Sequence, residues 1–181
     1  PPNKDGFCSY GISADMAVSA VECSRIKIAQ INKQMPFSYG DALIHISELD
    51  ACVEVDEPLV EVPSNIPTDE EISIGRHIAN LIPDGATLQI GVGGIPNAVL
   101  GALTGHRDLG LHTEALTDGV LPLIQNGIIN NSKKKILPGK NVASLILGSK
   151  GLYEYLDYNE DFIIKDVAWT NDPYIIRQNP K

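Results

Sequence analysis

Two short runs of this chain, Thr87–Asn97 and Leu109–Glu114, carry the residue types best suited to chemistry. In the first, an apolar stretch opens into Gly91-Val92-Gly93-Gly94, and Pro96 then starts an apolar helix. In the second, an apolar strand ends on the carboxylate Glu114, just before Asp118-Gly119. Loops that leave the carboxyl ends of parallel strands share one edge of the sheet, so the two runs would meet there. The first offers bare backbone amides at a helix start, where phosphate binds. The second offers a carboxylate that can serve as general base, metal ligand or covalent nucleophile. Gln89, two residues before the glycines, could donate to a carbonyl oxygen that gains charge in acyl transfer.

Each of these features also has a purely structural explanation. The glycines can be a tight turn that needs positive φ. They fit neither the dinucleotide fingerprint, whose third glycine is replaced by Pro96, nor a Walker loop, since no Gly-Lys-Ser/Thr follows. Glu114 can bond the amides at the next helix start, although Asp118 is better placed for that cap. Gln89 can be the outward residue between Leu88 and Ile90. His112 alternates with Leu111 and Thr113 and reads as a hydrogen-bonded structural histidine. His45, His77 and His106 stand at unrelated spacings, so no metal site is expected. Ser13, Ser144 and Ser149 lack the G-x-S-x-G elbow of serine hydrolases.

The elements that must position these groups follow from periodicity. Residues 7–10 read as a strand, and Ser13 as the N-cap of a helix running to Cys23. Residues 26–31, 43–46 and 51–55 read as strands, and 36–41 as a loop. Pro58, Pro63 and Pro67 make 56–67 a crossover, in which Leu59, Val60, Val62 and Ile66 should be buried. Thr68 and Glu71 have capping-box spacing, and the helix they open carries Ile74, Ile78, Leu81 and Ile82 on one face. Beyond it, strands 86–90, 109–113, 142–147 and 162–167 alternate with helices 96–104, 118–126 and 150–157, and a last helical turn spans 173–177. Such repeats specify an α/β fold with an open, mostly parallel sheet and helices on both faces. The chain divides into 1–55, the end of a first α/β region, the crossover 56–67, and the βα-repeat region 68–181.

Composition narrows the function classes. The 181 residues carry 14 basic and 23 acidic side chains, a formal net charge of -9. Nucleic acid is an unsuitable partner, because counterion displacement needs clustered Lys and Arg, and Lys133-Lys134-Lys135 reads as a solvated loop. No apolar run approaches the roughly 18 residues that span a bilayer, and no signal-type segment opens the chain. Cys8, Cys23 and Cys52 show no C-x-x-C spacing and read as buried or partly buried free thiols of a cytoplasmic protein. The opening Pro1-Pro2 and the closing Asn179-Pro180-Lys181 lead us to expect an internal piece of a longer polypeptide, with the fold incomplete at both ends.

Several separated motifs, in order, resemble the acetyl-CoA hydrolase/transferase family, of the 4-hydroxybutyrate CoA-transferase and butyryl-CoA:acetate CoA-transferase type. They are Gly6-Phe7-Cys8-Ser9, Gly40-Asp41 through His45-Ile46-Ser47-Glu48, Ile74-Gly75-Arg76-His77, Gln89 through Asn97, Gly110 through Glu114, Asp118-Gly119-Val120, Gly148-Ser149 through Tyr153, and Asn171-Asp172-Pro173. The resemblance implies a CoA-transferase-like fold and a ping-pong exchange of coenzyme A between an acyl-CoA and a short-chain carboxylate, such as acetate with butyrate or 4-hydroxybutyrate. It makes Glu114 the nucleophile that becomes a glutamyl-CoA thioester and places Gln89 in the active site. It assigns coenzyme A contacts to Gly91, Val92, Gly93, Gly94 and Ile95. No metal is implied, and a homo-oligomer is. Family members extend further at both ends, with an active-site histidine upstream and a second glycine-rich contact downstream, so this stretch alone should be inactive. Ala115 and Thr117 stand where Met and Ser are frequent, which bears on the acyl pocket. Access of water to the thioester would make the same site a hydrolase, and a non-catalytic phosphate-binding module would use the glycine loop alone.

Overall fold

The computed structural model describes all of residues 1–181. Its first third holds β1 (Phe7–Ser9), α1 (Ala17–Cys23), β2 (Ile28–Asn32), β3 (Tyr39–Gly40), β4 (Leu43–His45) and β5 (Ala51–Val55). β1 pairs antiparallel with β4, and β2 parallel with β5. Ser13 does not cap α1. It bridges to Leu145, and the helix begins later, with no side-chain cap at Met16. The 36–41 loop contains β3, a pair of residues whose strand character comes from its partner rather than from any local pattern.

α2 (Asp69–Ala79) starts at the capping box: Thr68 Oγ1 accepts from the Glu71 amide, and the Glu71 carboxylate accepts from the Thr68 amide at 2.8 Å. After it come β6 (Thr87–Leu88), α3 (Gly94–Ala102), β7 (Gly110–Leu111), β8 (Ala115–Thr117) and α4 (Leu121–Gln125). Next are β9 (Asn141–Ala143), β10 (Leu145–Leu147), α5 (Lys150–Leu156), β11 (Phe162–Ile164), α6 (Val167–Thr170) and α7 (Pro173–Ile176). β6 runs parallel to β7, and β9 and β3 flank β11 in parallel. A parallel bridge from His112 to Val142 joins the two sets, giving the order β6, β7, β9, β11, β3. Leu100 of α3, Leu103 just after it, Leu111 of β7, Leu116 of β8, Ile146 of β10 and Phe162 of β11 meet in one core and are almost wholly buried.

Two sequence expectations about burial do not hold. α2 meets α3 through its small residues, Gly75 and Ala79, because a Cβ on Gly75 would lie 2.6 Å from the Ala98 backbone carbon. Close backbone approach thus wins over the larger side chains, and Ile74, Ile78 and Leu81 stay exposed. In the proline-rich crossover, only Leu59 packs against the core; Val60, Val62 and Ile66 are exposed.

The Lys133–Lys135 triplet is also not a uniformly solvated loop. Lys134 is buried beneath β7, where Gly110 leaves it room, and its Nζ donates to the carbonyls of Leu111 (2.7 Å) and Lys140 (2.6 Å). Loss of water around the amine pushes its pKa down to about 7. Among the thiols, Cys8 is buried while Cys23 and Cys52 are exposed, and all three are free. No helix is long and apolar enough to cross a membrane.

Candidate active site

The run expected as one strand ending at Glu114 is instead two strands with a break between them. β7 ends at Leu111, and the chain goes on, extended, into β8, which pairs parallel with β10. The expected strand 142–147 breaks at the same level, between β9 and β10 at Ser144. At the break, the amides of Ser144 and Leu145 both donate to the Glu114 carbonyl at 2.9 Å. Two residues thus face one, as in a bulge, the device that re-aims a side chain beside a site. Glu114 is therefore at the seam of two small sheets rather than at a strand tip, and it is only partly buried.

Its carboxylate has one protein partner, the Asn171 side-chain amide, whose Nδ2 donates to Oε2 at 2.6 Å. Asn171 follows α6 directly and is exposed. Periodicity gave no sign of this contact, since it joins residues 57 positions apart and depends on how a one-turn helix docks. The only local signal was the Asn171-Asp172-Pro173 run, which reads as a helix start.

Thr113 ties the run that carries Glu114 to the glycine loop. Fully buried, its Oγ1 accepts from the Ile90 amide at 3.0 Å and lies 2.9 Å from the carbonyls of Ile90 and Ala115, its acceptors. The next residue on one chain is Gly91, and on the other Glu114. Adjacent strands lie about 5 Å apart, so the loop begins level with the carboxylate-bearing residue. Gln89 is exposed between buried Leu88 and Ile90 and has no hydrogen-bond partner within the chain, so its amide is free at this edge.

The three loop glycines have different reasons to be glycine. Gly93 has φ of 125°, a conformation side chains rarely adopt. A Cβ on Gly94 would collide with the Glu71 carboxylate, so a side chain there would push that carboxylate out of the capping box of α2. Gly91 has neither constraint; its nearest neighbour for a Cβ is Pro96 at 3.8 Å. The amides of Gly91, Val92 and Gly93 have no acceptor in the chain. Those of Gly94 and Ile95 are the first of α3, which a helix cannot satisfy internally. Five successive donors thus line the turn, and at Gly91 nothing in the fold forbids a side chain.

A cavity of about 250 Å3 opens beside this turn, between the loop (Val92, Gly93), the crossover (Val62 through Asn65), Asn97, Thr117 and Leu147. Glu114 is not in its lining, but Thr117, three residues along the same run, is. The Thr117 hydroxyl is buried without a partner. Asp118 does not cap its own helix, which begins as a 3-10 turn with no side-chain cap. Its carboxylate instead accepts from the Ser149 amide (2.9 Å) and hydroxyl (2.7 Å), fastening the end of β8 to the start of α5.

His112 is buried, as the alternation expects. Its Nε2 lies 2.8 Å from the Thr170 carbonyl, and burial lowers its pKa, so the ring stays neutral.

Comparison with known proteins places this geometry. Residues 1–63 match the acetyl-CoA hydrolase/transferase N-terminal domain model. The succinyl-CoA:acetate/propanoyl-CoA:succinate CoA transferase of Fasciola hepatica is 46% identical over 100% of this chain and 38% of its own length. The 4-hydroxybutyrate coenzyme A transferase of Clostridium kluyveri is 43% identical over 98% of this chain and 42% of its own. The crystal structure of 4-hydroxybutyrate CoA-transferase from Porphyromonas gingivalis superposes with a TM-score of 0.94 at 50% identity, over 97% of this chain and 45% of that one. The chain thus spans less than half the length of these relatives.

Proposed function

We propose that this chain, which belongs to the acetyl-CoA hydrolase/transferase family, supplies the nucleophile and part of the coenzyme A cradle of a CoA-transferase. The observation that carries the reading is the alignment of the two runs, set by the β6–β7 register and extended by Thr113. It sets the partly exposed Glu114 level with Gly91, at the head of a turn with five unclaimed amides. Phosphate or amide oxygens of the coenzyme accept from those donors, and the thioester end reaches the carboxylate.

The chemistry follows from the nucleophile. A Glu114 oxygen attacks the acyl carbonyl, the C–S bond breaks, and a mixed anhydride forms as coenzyme A leaves as thiolate. The thiolate then attacks the glutamyl carbonyl and displaces the first acid as its carboxylate, leaving a glutamyl-CoA thioester. A second carboxylate runs the steps backwards. Thioester energy is conserved at each stage so long as water is excluded. Gln89, free at the same edge, is the donor for the oxygen that gains charge. The relatives' names point to small carboxylic acids as the acids exchanged. The protein acts in the cytoplasm as a homo-oligomer.

The test is mass spectrometry of the full-length protein after incubation with acetyl-CoA and borohydride. Reduction should mark the peptide carrying Glu114, and Glu114→Gln should abolish both mark and turnover. An unmarked peptide in an active enzyme, or full activity in Glu114→Gln, would overturn the reading. Release of free coenzyme A without an acceptor acid, as fast as transfer with one, would make the enzyme a hydrolase instead.

A further inference from the structure

Asn171 reaches Glu114 from the end of α6, a helix of four residues. A single turn fixes several dihedrals for few hydrogen bonds and has no stability of its own. Its position must therefore be imposed by what it touches: the Val167 amide bonds the Asp15 carbonyl at 3.2 Å at its start, and two hydrogen bonds hold Thr170, the residue before Asn171, at its end. His112 Nε2 meets the Thr170 carbonyl at 2.8 Å. Ser144 Oγ donates to Thr170 Oγ1 at 2.8 Å, and Ser144 is the residue whose amide holds the Glu114 carbonyl. Thr170 is thus clamped from both of the strands that meet at the Glu114 break.

The His112 clamp is the more elaborate. A carbonyl can only accept, so Nε2 carries the proton, while Nδ1 is buried without a partner. The ring stacks on Trp169, centroids 5.5 Å apart at 26°. Lys165 Nζ sits 4.8 Å from the centre of the Trp169 ring and is itself held by Asp41. Asp41, Lys165, Trp169 and His112 form one connected set, and none of them hydrogen-bonds the glycine loop or the Glu114 carboxylate. The other histidines have no such setting: His77 is exposed, His45 caps a turn, and His106 meets the carbonyls of Ala79 and Ile82 at the end of α2.

We propose that His112 is the positioning residue of this site: by holding the Thr170 carbonyl, it fixes the amide of Asn171 and through it the aim of Glu114. The inference rests on the transferase reading above and adds to it how the nucleophile is steadied. A glutamate that forms an anhydride and then a thioester must present its carbonyl carbon on both sides of each step. An ångström of misplacement at such a centre can cost about a hundredfold in rate.

The experiment uses the full-length enzyme with acetyl-CoA as donor and butyrate as acceptor, and compares two amides at position 112. The His112→Gln side chain places its nitrogen about where Nε2 stands, and His112→Asn falls short by a methylene. His112→Gln should turn over within about threefold of wild type, and His112→Asn should lose about tenfold in kcat with KM for acetyl-CoA almost unchanged, the mark of a transition-state interaction. Because His112 acts through Asn171, His112→Asn/Asn171→Ala should be no slower than Asn171→Ala alone.

Wild-type kcat in His112→Asn, a loss confined to KM, or additive losses in the double variant would each overturn the proposal. Should His112→Asn fail to fold, Asn171→Ala removes the exposed residue through which His112 acts, and an unchanged kcat there overturns the proposal equally. A wild-type enzyme that yields no glutamyl-CoA refutes the transferase reading and this role with it. Trapping at Glu114 with a fully active His112→Asn refutes only the positioning role.

Discussion

Asn171 donates its side-chain amide to the Glu114 carboxylate at 2.6 Å, and no other side chain in the chain bonds that carboxylate. On the proposed reading, a neutral donor steadies the anionic carboxylate without cancelling its charge, as a lysine or arginine would. Asn171→Asp is close to isosteric and replaces that donor with a second carboxylate. Two like charges sharing a site raise the pKa of the pair, and the pair then titrates together. The nucleophile must be ionised, so the acid limb of kcat/KM should move to higher pH in Asn171→Asp. The pH profile of the full-length enzyme checks this, and an unmoved limb would show that position 171 does not face the Glu114 carboxylate in the working enzyme.

The three loop glycines should separate on substitution. Gly94→Ala must displace the Glu71 carboxylate and Gly93→Ala must hold a φ of 125°, so both should lower the melting temperature. Gly91→Ala meets only Pro96 at 3.8 Å and should melt as the wild type does. Its cost should appear in binding, since a methyl group there holds an approaching ligand away from the amides. Loss of one such hydrogen bond, about 1 kcal/mol, corresponds to a rise of about fivefold in KM for acyl-CoA. Paired melting and kinetic measurements on the three variants decide it. An unchanged KM in Gly91→Ala would argue that the turn is structural.

Lys134 gives a pH dependence whose sign can be worked out. Its folded-state pKa, about 7, lies below the ordinary 10.5, so the unfolded chain binds more protons between those values. Stability from this group is complete above the unfolded value and is lost as pH falls through the window. The slope cannot exceed about 1.4 kcal/mol per pH unit for one group. Denaturant titrations of the full-length protein between pH 7 and 8, where phenols stay protonated and thiols largely so, should therefore show stability rising with pH. Lys134→Met should remove that rise whatever it does to the absolute value, and equal slopes would show the amine to be solvated in the folded state.

What could be read from the sequence is what is local. The Thr68–Glu71 capping box lies within one turn, and the α5 and α7 starts, capped by Ser149 and Asp172, depend on adjacent residues. β5 falls on residues 51–55, as its composition indicates. The partner switch at Thr113–Glu114 was not legible, because an extended run looks the same whether it pairs with one neighbour or two. Lys134 was misread for a related reason: its burial is permitted by Gly110, 24 positions back, and by two carbonyls that only the folded chain brings together. Ile74 and Ile78 follow helical periodicity, yet close packing at Gly75 turns them outward. Glu114 and the glycine loop stand out by residue type, while their alignment rests on the β6–β7 register, which one threonine hydroxyl extends to Ile90.

That hydroxyl makes the last prediction. Thr113→Val keeps the branched shape of a buried side chain but removes the only acceptor of the Ile90 amide and the donor near two carbonyls. A buried amide left without an acceptor costs about 1–3 kcal/mol, so the variant should be less stable by that much. The kinetic effect should be separable from it. At temperatures where Thr113→Val is fully folded, the Glu114 run and the glycine loop lose their one side-chain tie, and on the proposed reading glutamyl-CoA formation in a single turnover should slow more than coenzyme A binding weakens. Thr113→Ser retains the hydroxyl and loses only a methyl group, so it should restore the single-turnover rate even where some stability is lost. Recovery in Thr113→Ser together with failure in Thr113→Val would assign the alignment to the hydroxyl; equal rates in both would mean that the strands hold the two groups together without it.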